Sequence, residues 1–259
     1  MKAFHGGPGC WATALGLALL AGCQQAPKNP TQPIPLFAAE PTPKLSAAQN
    51  AEVLFALGRT LENTGEVEQA IRAYHDALRQ DPERIDAAVR LAMLLDQQGR
   101  FEESQGLYKH ALTQQPNNAD ICCNLGYSLY LQRRWKEASQ VLRWAIHLEP
   151  DHQRAHNNLG LVLASIGDVP GALRAFHGGG CNQVDAYLNL AYVMTLQQKW
   201  GEAGRAYQEA LALDPSSSAA QKGLQNLQTV LAKLGVNSNP KSARHGGHVV
   251  PVGAIAVTE

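Results

Sequence analysis

Residues 124–150, NLGYSLYLQRRWKEASQVLRWAIHLEP, hold a Leu-Gly pair, the small residue Ala138, Leu142 four positions on, Ala145 three further, and a closing Pro150. The same order begins again 34 residues later in 158–176, NLGLVLASIGDVPGALRAF. Outward from these two, the small residue stands at Ala70, Ser104, Ala138, Ala172 and Ala203, in steps of 34, 34, 34 and 31. Tyr74, Tyr108, Leu142, Phe176 and Tyr207 follow four positions later, and Ala77, Ala111, Ala145, Gly179 and Ala210 seven positions later. Earlier in each unit come Leu57, Leu91, Leu125, Leu159 and Leu190, followed at once by Gly58, Ala92, Gly126, Gly160 and Ala191. Gly65, Gly99 and Gly167 mark a turn inside the unit, and Pro82, Pro116, Pro150 and Pro215 close it. Small residues let two helices approach, large ones fill the space between them, and Gly and Pro stop the helices, so each unit reads as a helical hairpin. One hairpin cannot bury its own apolar face, and stacking on the next supplies the cover.

A period of about 34 with Leu-Gly, Ala, aromatic, Ala and Pro in that order resembles the tetratricopeptide repeat. The resemblance implies an all-α solenoid of five helical hairpins wound as a right-handed superhelix, with units at about 51–84, 85–118, 119–152, 153–183 and 184–217. A further helix over 217–234, with Leu224, Leu227, Val230, Leu231 and Leu234 along one face, is expected to cap the array. From residue 235 to 259 no period remains, and the tail is expected to be disordered. The step of 31 falls on Gly178, Gly179 and Gly180, where the boundary Pro is missing; it reads either as a hinge or, preferred here, as a tolerated deletion. Truncating a buried repeat Leu such as Leu125 to Ala is expected to cost about 2–5 kcal/mol.

The N-terminus has the layout of a targeting segment: Lys2, an apolar run from Trp11 to Leu20, then small residues. The run is too short to span a bilayer. Leu20-Ala21-Gly22-Cys23 resembles the lipobox of bacterial lipoproteins, which implies a signal peptide over 1–22 and lipidation of Cys23. Gln24, where an inner-membrane retention signal has Asp, implies the outer membrane. Residues 23–44 contain six prolines and read as a semi-rigid tether. Cys122, Cys123 and Cys181 form no disulfide framework; Cys123 with Cys181 could pair in an oxidising compartment, and small apolar packing is the preferred role for Cys122 and Cys123.

Twenty-two basic residues balance twenty-two acidic ones, which disfavours nucleic acid as a partner. The chain has no Gly-rich phosphate loop, nucleophile elbow or zinc-finger spacing, so neither an enzyme nor a cofactor nor a small-molecule substrate is expected. His152 and His156 share a helix face near His147, but a third metal ligand is missing and a helix-start role is preferred. In the tetratricopeptide family the first helix of each hairpin lines the concave groove. Carried over residue by residue, the groove would present Phe55, Arg59, Val89, Arg90 and Met93, then Cys123, Asn124, Tyr127 and Tyr130, then Asn157, Asn158 and Leu161, and last Leu188, Asn189 and Tyr192. Asn124, Asn158 and Asn189 occupy one equivalent position, an amide ladder suited to an extended peptide backbone, and also a frequent choice of the family whatever the ligand. Only Arg59 and Arg90 could serve a carboxylate clamp, so recognition of C-terminal carboxylates is not expected.

The expectation is a lipid-anchored scaffold of the bacterial envelope, on the outer membrane facing the periplasm, that holds a protein or extended peptide segment in its groove and meets the membrane through its lipid alone. Its layout resembles the tetratricopeptide lipoproteins that pilot pilus secretins and pilus assembly. The alternative is an accessory subunit of a cell-wall enzyme.

Overall fold

The structure is a computed structural model that describes residues 44–235. The signal segment, Cys23, the tether as far as residue 43 and the tail after residue 235 lie outside the described residues. Among the described residues eleven helices follow one another: α1 (Ala47–Asn63) with α2 (Val67–Gln80), α3 (Ile85–Gln97) with α4 (Phe101–Gln114), α5 (Ala119–Leu131) with α6 (Trp135–Leu148), α7 (Gln153–Ile166) with α8 (Val169–Gly178), α9 (Gln183–Leu196) with α10 (Trp200–Leu213), and the single α11 (Ser218–Lys233). These are the five helical hairpins and the terminal helix that the sequence period implies. Among the described residues no helix is long and apolar enough to cross a membrane.

The helix ends follow from side-chain chemistry. Side chains of Ser46, Asn118, His152, Asn182 and Ser217 accept the backbone N–H three residues on, at the starts of α1, α5, α7, α9 and α11. α2, α4, α6 and α10 stop two residues before Pro82, Pro116, Pro150 and Pro215, which cannot extend a helix. Gly65, Gly99 and Gly167 make the inner turns at positive φ, as their spacing predicts. The third and fifth hairpins make the same turn without glycine, holding Arg133 at φ 60° and Gln198 at φ 59°.

The repeat positions pack as their size requires. Tyr74, Tyr108, Leu142 and Phe176 are fully enclosed against the small residue of the facing helix. A Cβ on Gly126 would lie 2.5 Å from Leu142, and one on Gly160 2.5 Å from the Phe176 ring. Leu91, Leu159 and Leu190 are buried, but Leu125 is only half-buried and Leu57 is 47% exposed. Leu125→Ala therefore belongs at or below the lower end of the cost given for buried leucines.

In the fourth hairpin α8 has 10 residues where α2, α4, α6 and α10 have 14. The missing turn absorbs the short step, and Gly178 and Gly179 let the chain pass against His156 and Asn157, where Cβ atoms would collide. α9 packs on both α7 and α8. On α11, Leu227 and Leu231 are buried and Leu224 half-buried. Val230 and Leu234 are exposed, so the five-residue apolar face is corrected to three: positions 230 and 234 turn past the edge of the fifth hairpin.

Candidate interaction groove

Successive first helices from α3 to α11 touch one another, whereas each second helix packs on its own partner and on the next first helix. The first helices thus lie on the inside of the curve, and their free sides form the groove.

Its N-terminal part combines apolar side chains with paired charges. Phe55, Arg59, Val89, Arg90 and Asn124 line one depression of about 680 Å³ together with Asp86, Asn118, Asp120 and Ile121. The Arg84 guanidinium lies 4.7 Å above the Phe55 ring and is held by Glu52 at 2.6 Å and Asp86 at 3.0 Å, so Phe55 is partly roofed over. Arg90 reaches Glu62 at 3.4 Å, and Arg154 pairs with Asp120 at 2.6 Å. Acidic and basic groups alternate here, with no field of one sign. Met93 is half-buried between hairpins.

The C-terminal part is aromatic. Tyr127 stacks on Tyr130 (centroids 5.8 Å apart, planes 21° apart), which tilts against Trp135 at 5.4 Å. Burial pushes the Tyr130 phenol above its ordinary pKa. Tyr127 and Tyr192 remain 41% and 56% exposed, and Leu161 between them is half-buried. Leu188 opens onto a different depression, beside Asp185 and Ser217 at the start of α11.

The amide ladder is not free along its length. Asn124 faces the N-terminal depression, but the amide N–H of Asn158 donates to Cys123 Sγ at 3.4 Å, and that of Asn189 to Cys181 Sγ at 3.5 Å. Asn157 fills the space left by the glycine run, donating to the Gly179 carbonyl and accepting the Cys181 thiol, both at 3.5 Å. Cys122 and Cys123 are enclosed free thiols, as their preferred packing role implied, so Cys123 leaves the groove set; burial pushes both up in pKa. The histidines are engaged separately. His152 Nδ1 accepts the Ala155 N–H at the start of α7, His156 Nε2 lies 2.8 Å from the Pro150 carbonyl, and the His147 ring packs on Trp144.

Asp96 carries a role that its place in the repeat does not announce. Buried at the end of α3, it accepts hydrogen bonds from Ser104 and Tyr108 of α4 and, at 2.7 Å, from Ser128 of α5, tying the second hairpin to the third. Glu62, one period earlier, accepts from Tyr74 in the same way at 2.8 Å. Where the aromatic hydroxyl is lost, at Leu142 and Phe176, the carboxylate is lost too, to Tyr130 and Ala164. That paired change over the first four hairpins was the available signal, although the fifth keeps Tyr207 opposite Thr195.

Burial raises the Asp96 carboxyl above its ordinary value near 3.8, with the three hydroxyl donors opposing the rise. An acid with a raised folded pKa binds its proton more tightly folded than unfolded. Its contribution to stability is therefore complete below the ordinary value and falls as pH rises through the folded one. Asp96→Ala is expected to cost roughly 2–3 kcal/mol at neutral pH, because the buried hydroxyls of Tyr108 and Ser128 lose their acceptor, while Ser104 keeps the Phe101 carbonyl. Asp96→Asn should lose ground to wild type as pH is lowered through that window. Denaturant melts at several pH values measure both, and a pH-independent difference would contradict this account.

Three tetratricopeptide repeat profiles match residues 64–121, 123–177 and 185–217, together more than half of the chain. A comparison with curated proteins finds no match. Among solved structures, PilF of Pseudomonas aeruginosa is 23% identical with a TM-score of 0.53, over 74% of this chain and 95% of that one. A thermophilic tetratricopeptide repeat protein of Thermus thermophilus is 19% identical with a TM-score of 0.54, over 69% and 99%. A tetratricopeptide repeat protein of Parabacteroides merdae is 19% identical with a TM-score of 0.55, over 75% and 77%. These likenesses bear on the fold alone. Profiles, hairpins and register agree: the chain belongs to the tetratricopeptide repeat family and has the fold of a protein–protein interaction scaffold.

Proposed function

We propose that this protein is a lipid-anchored adaptor of the bacterial envelope, held through Cys23 on the outer membrane, that grips an extended segment of a partner protein in its groove. The observation that carries the groove reading is the pair of exposed rings, Tyr127 and Tyr192, at equivalent positions of the third and fifth hairpins. Large aromatic rings exposed on a rigid inner face are what binding hot spots are made of. The sequence Leu20-Ala21-Gly22-Cys23 supports the anchor, and the layout of signal, tether and repeats supports a place in pilus or secretion assembly.

The test is co-purification with the full chain from detergent-solubilised membranes, beside Cys23→Ser. The wild type should sediment with membranes and bring down structural envelope components, while Cys23→Ser should remain as a heavier, soluble precursor. Unchanged membrane association of Cys23→Ser would reject the anchor. Recovery of a cell-wall hydrolase or transferase in place of structural components would favour an accessory-subunit role.

A further inference from the structure

The first hairpin is left open on the side where a preceding unit would stack. Val53 and Leu57 on α1 are 55% and 47% exposed. One position down the array, the equivalents of Val53 are Ala87, Ile121, Ala155 and Ala186, all buried. Those of Leu57 include Leu91, Leu159 and Leu190, also buried. The Val53 position is buried in every later first helix and the Leu57 position is buried or half-buried, so this face has the chemistry of a helix-stacking surface. Among the described residues nothing covers it.

The other end differs. α11 carries Gln221, Gln225 and Gln228, all exposed, where the third hairpin has Cys122, Gly126 and Leu129 to receive its second helix. Where the next unit would stack it shows Lys222 and Thr229 to solvent. A second copy adding head to tail would set Val53 and Leu57 against these polar groups, which is unfavourable.

We propose that two copies pair through α1 of each, antiparallel about a two-fold axis near residues 55 and 56. The stripe that would meet, Gln49, Val53, Ala56, Leu57 and Thr60, is uncharged. Glu52 and Arg59 lie seven residues apart on one flank of it, so the two-fold sets Glu52 of one copy beside Arg59 of the other, twice. Arg59 forms no ion pair among the described residues, and Glu52 has only Arg84. Both residues mark the groove side of α1, so the pair opens its two grooves on the same side, able to take two segments of one partner. Each copy contributes one helix of 17 residues, a small contact, so the dimer is concentration-dependent.

The experiment is sedimentation velocity on the full chain in mild detergent across a range of protein concentrations. The expected result is a monomer–dimer equilibrium that goes no further. Leu57→Arg, at an exposed position, should weaken it at least tenfold without loss of helicity. Arg59→Glu should weaken it, and Glu52→Arg added to Arg59→Glu should restore it. A monomer at every concentration, growth beyond two copies, or a dimer indifferent to Leu57→Arg would each overturn the proposal, the last by assigning association to the micelle or another face.

Discussion

Tyr127→Ala combined with Tyr192→Ala is expected to weaken partner binding by about 4 kcal/mol, close to a thousandfold, since central aromatic anchors contribute about 2 kcal/mol or more each. Both rings are exposed in the free protein, so their loss should leave helicity and melting temperature nearly unchanged. Asn158→Ala should matter far less. A hydrogen bond contributes net only about 0.5–1.5 kcal/mol, and this amide already spends a donor on Cys123. Trp144→Ala is the control on the outer face, because Trp144 is 46% exposed on α6 and packs on His147. Calorimetric titration with the co-purified partner, beside circular dichroism of each variant, measures the difference. If the double tyrosine variant binds as wild type while Trp144→Ala does not, the outer helices are the binding face.

What the sequence made legible was the part of the fold that repeats. Tyr74, Tyr108, Phe176 and Tyr207 recur because every hairpin needs a large side chain against a small one, and that need is visible in a single chain. Features depending on one tertiary pairing were not visible. Arg84 roofs Phe55 from 29 residues away, and nothing in the spacing of either announces it. Asn157 and Asn158 look alike in sequence, yet the shortened α8 draws Asn157 toward Gly179 while Asn158 turns to a sulfur atom of the preceding hairpin. The groove positions could be carried over by register, but whether each is free or engaged was decided by its neighbours. Asp96 escaped because a lone carboxylate at a helix end reads as solvated unless the tyrosine 12 residues later is read with it.

Phe176→Ala is expected to destabilise the fold by about 3–5 kcal/mol, the usual cost of emptying an enclosed aromatic site. Phe176 is completely buried and comes from the shortest helix of the array, which has 10 residues in which to hold its hairpin together. Its ring lies against Gly160, and the glycine has no side chain to move into the space left behind. At about 2–4 °C per kcal/mol for a folded region of this size, the melting temperature should fall by roughly 6–20 °C. Arg174→Ala, exposed on the same helix, should shift stability by no more than about 0.5 kcal/mol. A solenoid is held together by nearest-neighbour contacts, so the loss should be local. Hydrogen exchange should show amides of α7 to α10 losing protection while those of α1 to α4 keep theirs. A uniform loss would mean that the array unfolds as one unit, and a loss under about 1 kcal/mol would mean that the glycine–phenylalanine contact is not what holds the fourth hairpin.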